Sequence, residues 1–277
     1  MLIYEIFKVI LFGIVEGVTE WLPISSTGHM ILLDELIHLD VSDEFLSMLL
    51  VVIQLGAIFA VVVLFLDKLN PFSKKLSQKD REQRWHVWGK VAVSSLPAAI
   101  LGFAFDDLFD KYFYNYFVVA LALIIYGIIF IFIEKSRAEC VKTIDSLDNM
   151  TYFDALKIGA FQSLSLIPGT SRSGSTIIGG MLIGASREVS AEFSFFMAIP
   201  IMLGASMLKI IKFLMAGFSV TTEEIILLFI GILVSFAVSI VVIRFLMDYI
   251  KRHNFTIFGI YRIVLGIIVL IYFAIQP

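Results

Sequence analysis

Cysteine is almost absent: Cys140 is the single one in 277 residues, which excludes a disulfide framework. Charge is scarce too. Asp, Glu, Lys and Arg make up 16% of the chain and hydrophobic residues 59%, whereas soluble domains are roughly a quarter charged and about 45–50% apolar. That balance, with a mean hydropathy of +0.95, excludes an ordinary soluble globule and implies a polytopic membrane protein. The amino terminus lacks a basic n-region and a small-residue cleavage site and places Glu5 before Lys8, so no removable signal peptide is expected. The basic stretches carry few aromatics interleaved with their Lys and Arg, chiefly Trp85 and Trp88, and nucleic acid is therefore not an expected partner.

Six stretches are long and apolar enough to cross a bilayer as helices, at about 45–66, 88–105, 113–133, 193–212, 225–243 and 257–275. The first and third hold no charge at all. A formal net charge of −3 hides a spatial sorting of sign. Basic residues gather in 67–90, from Lys68 to Lys90, and in 134–157, with Lys135, Arg137, Lys142 and Lys157; acids gather in 34–44, 106–110 and 223–224. The positive-inside rule puts the basic group in the cytoplasm and the acidic group outside. Spans 45–66, 88–105 and 113–133 alternate in agreement with that.

Near the amino terminus Glu16 and Glu20 stand four residues apart, so on a helix both project from one face. Like charges at that spacing repel, and each ionised group at membrane depth costs roughly 2.5–3.5 kcal/mol. A metal ion, a shared proton or a cationic partner is needed to compensate. Pro23 is expected to close this helix, the next to begin at Gly28, and Ser25, Ser26, Thr27 and His29 to cluster around the break. Residues 6–44 are too polar to cross cleanly and fit a re-entrant helix-loop-helix hairpin entering from the external face. Glu16 and Glu20 suit general acid/base work, divalent-cation ligation or both. One of Ser25, Ser26 and Thr27 suits a helix cap and leaves a nucleophile among the others, and His29 suits a base or proton shuttle. His38, His86 and His253 are expected in loops without partners.

The device recurs. Gly159 to Gln162 repeats the spacing of Gly13 to Glu16, Pro168 closes the helix, and a hydroxyl-rich turn follows; Gln54-Leu-Gly56-Ala57 is echoed by Met202-Leu-Gly204-Ala205. Because 158–184 follows a cytoplasmic loop, this hairpin enters from inside. The expected fold is all-α, a single membrane domain with six spanning helices and two re-entrant hairpins. These make an inverted repeat of about 1–133 and about 158–277, joined by the basic linker 134–157. Pro168-Gly169-Thr170-Ser171-Arg172-Ser173-Gly174 reads as an oxyanion cradle, in which glycines admit close backbone approach, helix-start N–H groups and hydroxyls donate, and Arg172 supplies a planar fork for phosphate oxygens. It lacks the Gly-Lys-Ser/Thr ending of a Walker loop. Arg172, Arg262 and Lys8 fall at membrane depth. Gly13-xxx-Gly17 and Gly180-xxx-Gly184 permit close helix packing, a homodimer being one outcome.

Together, Glu16-Gly-Val-Thr-Glu20-Trp-Leu-Pro-Ile-Ser25-Ser26-Thr27-Gly28-His29 and Pro168-Gly-Thr-Ser-Arg172-Ser-Gly174 closely resemble the signatures of the undecaprenyl-diphosphate phosphatases of the bacitracin-resistance type. The resemblance covers nearly the whole chain. It implies an integral enzyme of the bacterial plasma membrane that converts undecaprenyl diphosphate to the monophosphate and phosphate, acts on the external face, recycles the lipid carrier of cell-wall synthesis, and depends on a divalent cation such as Mg²⁺ or Ca²⁺. By motif position Glu16 and Glu20 match the family's acidic pair. Ser25, Ser26, Thr27 and His29 match its hydroxyl and imidazole cluster, and Ser171, Arg172 and Ser173 its phosphate-binding turn.

The mechanism expected from these residues places the diphosphate between the two loops and the prenyl chain in a groove between helices. Ser26 attacks the terminal phosphorus with His29 or a Glu assisting, or a water activated by the same groups does so. A secondary transporter or lipid flippase would share the architecture and need no nucleophile. An intramembrane serine protease fits less well, since Ser26 and His29 are three apart on one turn and both acids are left unexplained.

Overall fold

Helix starts in this chain are written by hydroxyl caps, and helix crossings by glycine. The computed structural model describes residues 2–113, 115–136 and 143–275; Arg137, Cys140 and Lys142 lie outside the described residues, as do the side chains of Asp106, Asp107 and Asp110. The order is α1 (Leu2–Thr19), α2 (Ser26–Ile37), α3 (Asp43–Val52), α4 (Gln54–Leu64), α5 (Leu66–Leu69), α6 (Gln78–Phe113), α7 (Tyr116–Ser136), α8 (Tyr152–Gln162), a 3₁₀ turn (Ser163–Leu166), α9 (Arg172–Leu182), α10 (Arg187–Met215), α11 (Thr222–Arg252) and α12 (Thr256–Ile275). Thr151 with Asp154 and Thr221 with Glu224 form reciprocal capping boxes that start α8 and α11, each satisfying two N–H groups that the first turn would leave without partners.

Among the described residues six helices are long and apolar enough to cross a bilayer: 43–64, 78–105, 116–136, 187–215, 222–252 and 256–275. Each of the six expected stretches overlaps one of them, with corrections: the helix expected at 113–133 runs from Tyr116 to Ser136, Phe113 being the end of α6, and the one expected to reach 66 ends at Leu64. The helix expected at 88–105 begins at Gln78, because the charged 78–90 segment is rich in good helix formers, and polarity sets membrane depth rather than helicity. His86 accordingly lies within α6 and meets the Tyr152 hydroxyl at 3.0 Å, while His253 stacks on Tyr249, so neither lacks a partner. The stretch 45–66 is interrupted at Ile53, between α3 and α4, which brings Gln54 to the wall of a cavity.

By contrast α2, α8 and α9, with 12, 11 and 11 residues, rise only about 16–18 Å at 1.5 Å per residue, too little for a hydrocarbon core of about 30 Å. Three glycine-mediated crossings each join a helix of the first half of the chain to one of the second. Gly13 and Gly17 of α1 lie against the Gly231 and Ser235 carbonyls of α11, Gly159 of α8 against the Ser94 carbonyl of α6, and Gly127 of α7 against Gly259 of α12. A Cβ at any of these would collide with backbone. The Gly13-xxx-Gly17 pair thus packs inside the chain rather than offering a dimer face, and Gly184 ends α9 at φ +97 instead of lining a helix surface. Lys8, expected at membrane depth, is tied down by Glu5 at 2.9 Å and the His38 carbonyl at 2.7 Å, a latch from α1 to the end of α2.

Candidate active site

Proline sets the first break. Pro23 has no N–H to offer the carbonyl four residues back, at Thr19, and α1 ends there. The helix therefore stops four residues before the proline, not at it. Glu20 N still reaches the Glu16 carbonyl at 3.0 Å, so the two glutamates keep their one-turn relation. Ser25 turns the chain at φ 72 and caps α2, which begins at Ser26 rather than Gly28, by accepting from Gly28 N at 3.4 Å. The second break is built the same way: Gly169 at φ 92, then Ser171 at φ 69, accepting from Gly174 N at 3.1 Å. Among the described residues Ser25 and Ser171 are the two non-glycine residues with positive φ. Each holds on the order of 1–3 kcal/mol of backbone strain. The pairs Gly13 and Gly159, Glu16 and Gln162, Ser25 and Ser171, and Gly28 and Gly174 are all 146 positions apart.

The two breaks meet. Arg172, the first residue of α9, donates through Nη2 to Glu20 Oε1 at 2.8 Å and through Nη1 to the Ser194 carbonyl at 2.6 Å, with its guanidinium 5.5 Å from the Trp21 ring. Ser173 Oγ donates to the Glu20 carbonyl at 2.9 Å. Ser26 Oγ donates to Glu20 Oε2 at 2.8 Å, so one carboxylate takes a hydroxyl from its own break and a guanidinium from the other.

Glu16 and Glu20 share a helix face and diverge in fate. Both Glu16 oxygens are buried without a hydrogen-bond partner. Glu16 borders a cavity of about 610 Å³ together with Ser26, Thr27, Gln54, Pro168 and Lys209. A buried carboxylate lacking donors calls for a proton or a cation. No group of three or more His, Cys, Asp or Glu residues placed to hold a metal ion occurs among the described residues. One carboxylate without a donor, in a cavity whose wall also carries Ser26, Thr27 and Gln54, suits a hard cation that takes most of its oxygens from substrate and water.

Other expected site residues are engaged elsewhere. Thr170 donates its hydroxyl to the Leu164 and Ile167 carbonyls, and Ser171 and Ser25 serve as caps. His29 is turned toward α12: Nδ1 lies 2.7 Å from the Ser25 carbonyl and Nε2 2.8 Å from the Tyr261 hydroxyl, with the two rings stacked at 5.6 Å. A carbonyl only accepts, so Nδ1 carries a proton, and in the neutral ring Nε2 accepts from Tyr261. His29 is not among the residues bordering the cavity. Arg262, placed at depth by the sequence but given no role there, is wholly buried and donates to the carbonyls of Pro23 at 3.2 Å, Gly169 at 2.9 Å and Thr170 at 2.8 Å. One side chain from α12 thereby clamps both breaks, and its signal in sequence was an arginine inside an apolar run.

Residues 9–268 match the family described as Bacitracin resistance protein BacA. The chain belongs to this family. A protein named undecaprenyl-diphosphatase from Enterococcus faecalis is 55% identical over 272 residues, covering 98% of this chain and 99% of that protein. One of the same name from Streptococcus mutans is 54% identical over 273 residues, covering 98% and 97%. A third, undecaprenyl-diphosphatase 1 of Clostridioides difficile, is 56% identical over 269 residues, covering 97% and 96%. As a BacA protein the chain is matched from within α1 to within α12, both breaks and Arg262 included.

Proposed function

We infer that this multi-pass membrane protein is an undecaprenyl-diphosphatase, hydrolysing undecaprenyl diphosphate to undecaprenyl phosphate and inorganic phosphate and so recycling the lipid carrier of cell-wall synthesis. The observation that carries the chemistry is the 2.8 Å bond from Ser26 Oγ to a Glu20 carboxylate that Arg172 grips from the other break. A hydroxyl at a cavity wall, bonded to a base that a third group orients, is the arrangement nucleophilic catalysis needs.

In the proposed reaction Ser26 Oγ attacks the terminal phosphorus as Glu20 takes its proton. The bond from that phosphorus to the bridging oxygen breaks, the freed oxygen of the departing lipid monophosphate takes that proton from Glu20, and Glu20 is again a carboxylate. Water, deprotonated by the same carboxylate, then attacks the phosphoserine, releasing inorganic phosphate and returning the hydroxyl to Ser26. Direct attack by water on the same base is the alternative. Arg172 orients Glu20, Arg262 and Ser173 hold the breaks in register, and Ser26, Thr27 and Gln54 face the diphosphate from the cavity wall.

A Mg²⁺ or Ca²⁺ ion would be held by Glu16, with Glu20 beside it, and would neutralise charge on the diphosphate. The external location of the site is supported by the charge sorting and by the cavity reaching the end of α10 that precedes residues 216–221, opposite the basic loops. Two inverted repeats account for the constant offset between the breaks and for the paired crossings α1 on α11 and α8 on α6.

The test is phosphate release from undecaprenyl diphosphate by purified protein in detergent, which a transporter would not perform. Chelation by EDTA is expected to lower the rate at least tenfold and added Mg²⁺ or Ca²⁺ to restore it, with Glu16→Gln requiring roughly tenfold more metal for half-maximal rate. An undiminished rate in EDTA would remove the metal from the account, and no phosphate release by the parent would remove the enzyme.

A further inference from the structure

The cavity that Glu16 and Ser26 border has a cation on its wall that the mechanism leaves unused. Lys209, near the end of α10, borders the same space and is half-buried, and it has neither a hydrogen bond nor an ion pair among the described residues. Lys212, three positions on and so on the same helix face, also borders it. Both break the sorting of charge found elsewhere, because they lie at the end of the bundle where Asp43, Glu223 and Glu224 begin their helices and away from the basic loops. A positive charge against that trend, at the wall of a partly apolar cavity, needs a local reason.

Glu16 supplies part of it. An unpartnered carboxylate and an unpartnered ammonium share one cavity of about 610 Å³ without pairing. Opposite charges left apart in a space whose wall carries the hydroxyls of Ser26, Thr27, Ser47 and Ser165 and the Gln54 amide beside apolar side chains mark the place of a ligand carrying charge of its own. An ammonium on a flexible stem is a point charge suited to following a phosphate that moves when its bond is cut.

We propose, building on the phosphatase reading above, that Lys209 is the specificity-determining cation of this cavity. It binds the terminal phosphate of a diphosphate lipid, and the inorganic phosphate cut from it, and so separates substrate from the monophosphate lipid that remains.

The experiment compares the parent with Lys209→Gln and Lys209→Arg in detergent. Lys209→Gln is expected to raise KM for undecaprenyl diphosphate and the inhibition constant of inorganic phosphate about tenfold each, with kcat within about threefold, as for loss of one charge-assisted contact to phosphate. Inhibition by undecaprenyl phosphate stays unchanged, and Lys209→Arg recovers most of the loss. Titration with inorganic pyrophosphate, read as binding heat, needs no turnover; there the Gln variant is expected to bind about tenfold more weakly. Equal pyrophosphate affinity in parent and Gln variant would overturn the proposal, as would an equal loss toward diphosphate and monophosphate lipids. A parent that binds pyrophosphate through Lys209 yet releases no phosphate from the lipid would keep the anion site and sink the phosphatase reading.

Discussion

Ser26→Ala is expected to lower kcat/KM for phosphate release by on the order of 10³, Glu20→Gln by a similar factor, and the double variant by no more than either alone. The reason is that Ser26 Oγ and Glu20 Oε2 are joined at 2.8 Å and act as one unit: without the hydroxyl the base has nothing to deprotonate, and without the base the hydroxyl is a weak nucleophile. Stability should hardly register the first change, since one hydrogen bond contributes about 1 kcal/mol. Steady-state rates and melting curves on the three variants check both halves. A Ser26→Ala protein with full activity would assign the attack to water, and multiplicative losses in the double variant would separate the two residues.

Arg262→Met is expected to cut kcat more than 10²-fold with little change in KM, and to lower the melting temperature by several degrees. Three buried carbonyls, of Pro23, Gly169 and Thr170, would lose their donor, each at a cost of about 1–3 kcal/mol. Removing a buried charge offsets part of that. The rate falls further than stability alone dictates because the guanidinium fixes the register of both breaks, and a shift of about 1 Å in reacting groups costs on the order of 10²-fold. Arg262→Lys keeps the charge and loses the planar fork, so it should recover stability better than rate. A Met variant with the parent's kcat would show that the breaks keep their register without the clamp.

Much of this was legible in the residues themselves. Apolar length and the sorting of Lys and Arg located the spans, because bilayer insertion depends on little else. Proline, glycine and hydroxyl residues located both breaks, because backbone chemistry is local. What could not be read from the residues is decided across the fold. His29 has the composition of a base, yet its ring nitrogens are taken by the Ser25 carbonyl and the Tyr261 hydroxyl, 232 positions away. Glu16 and Glu20 are equivalent by spacing and unequal in place, since the arginine that pairs with one of them comes from 152 positions downstream. Thr170 reads as a phosphate donor until the 3₁₀ turn offers it two carbonyls. Arg262 carries no motif at all, and its role emerges only where α12 passes behind both breaks.

The account rests on two broken helices meeting through Glu20 and Arg172, and a double-mutant cycle on thermal stability in detergent tests that without reference to turnover. Glu20→Gln and Arg172→Gln each leave a buried charge without its partner, and each is expected to destabilise by about 3–5 kcal/mol. The double variant should fall short of their sum by at least ~2 kcal/mol. Single effects that add to within ~0.5 kcal/mol would place the two side chains out of contact and separate the two breaks.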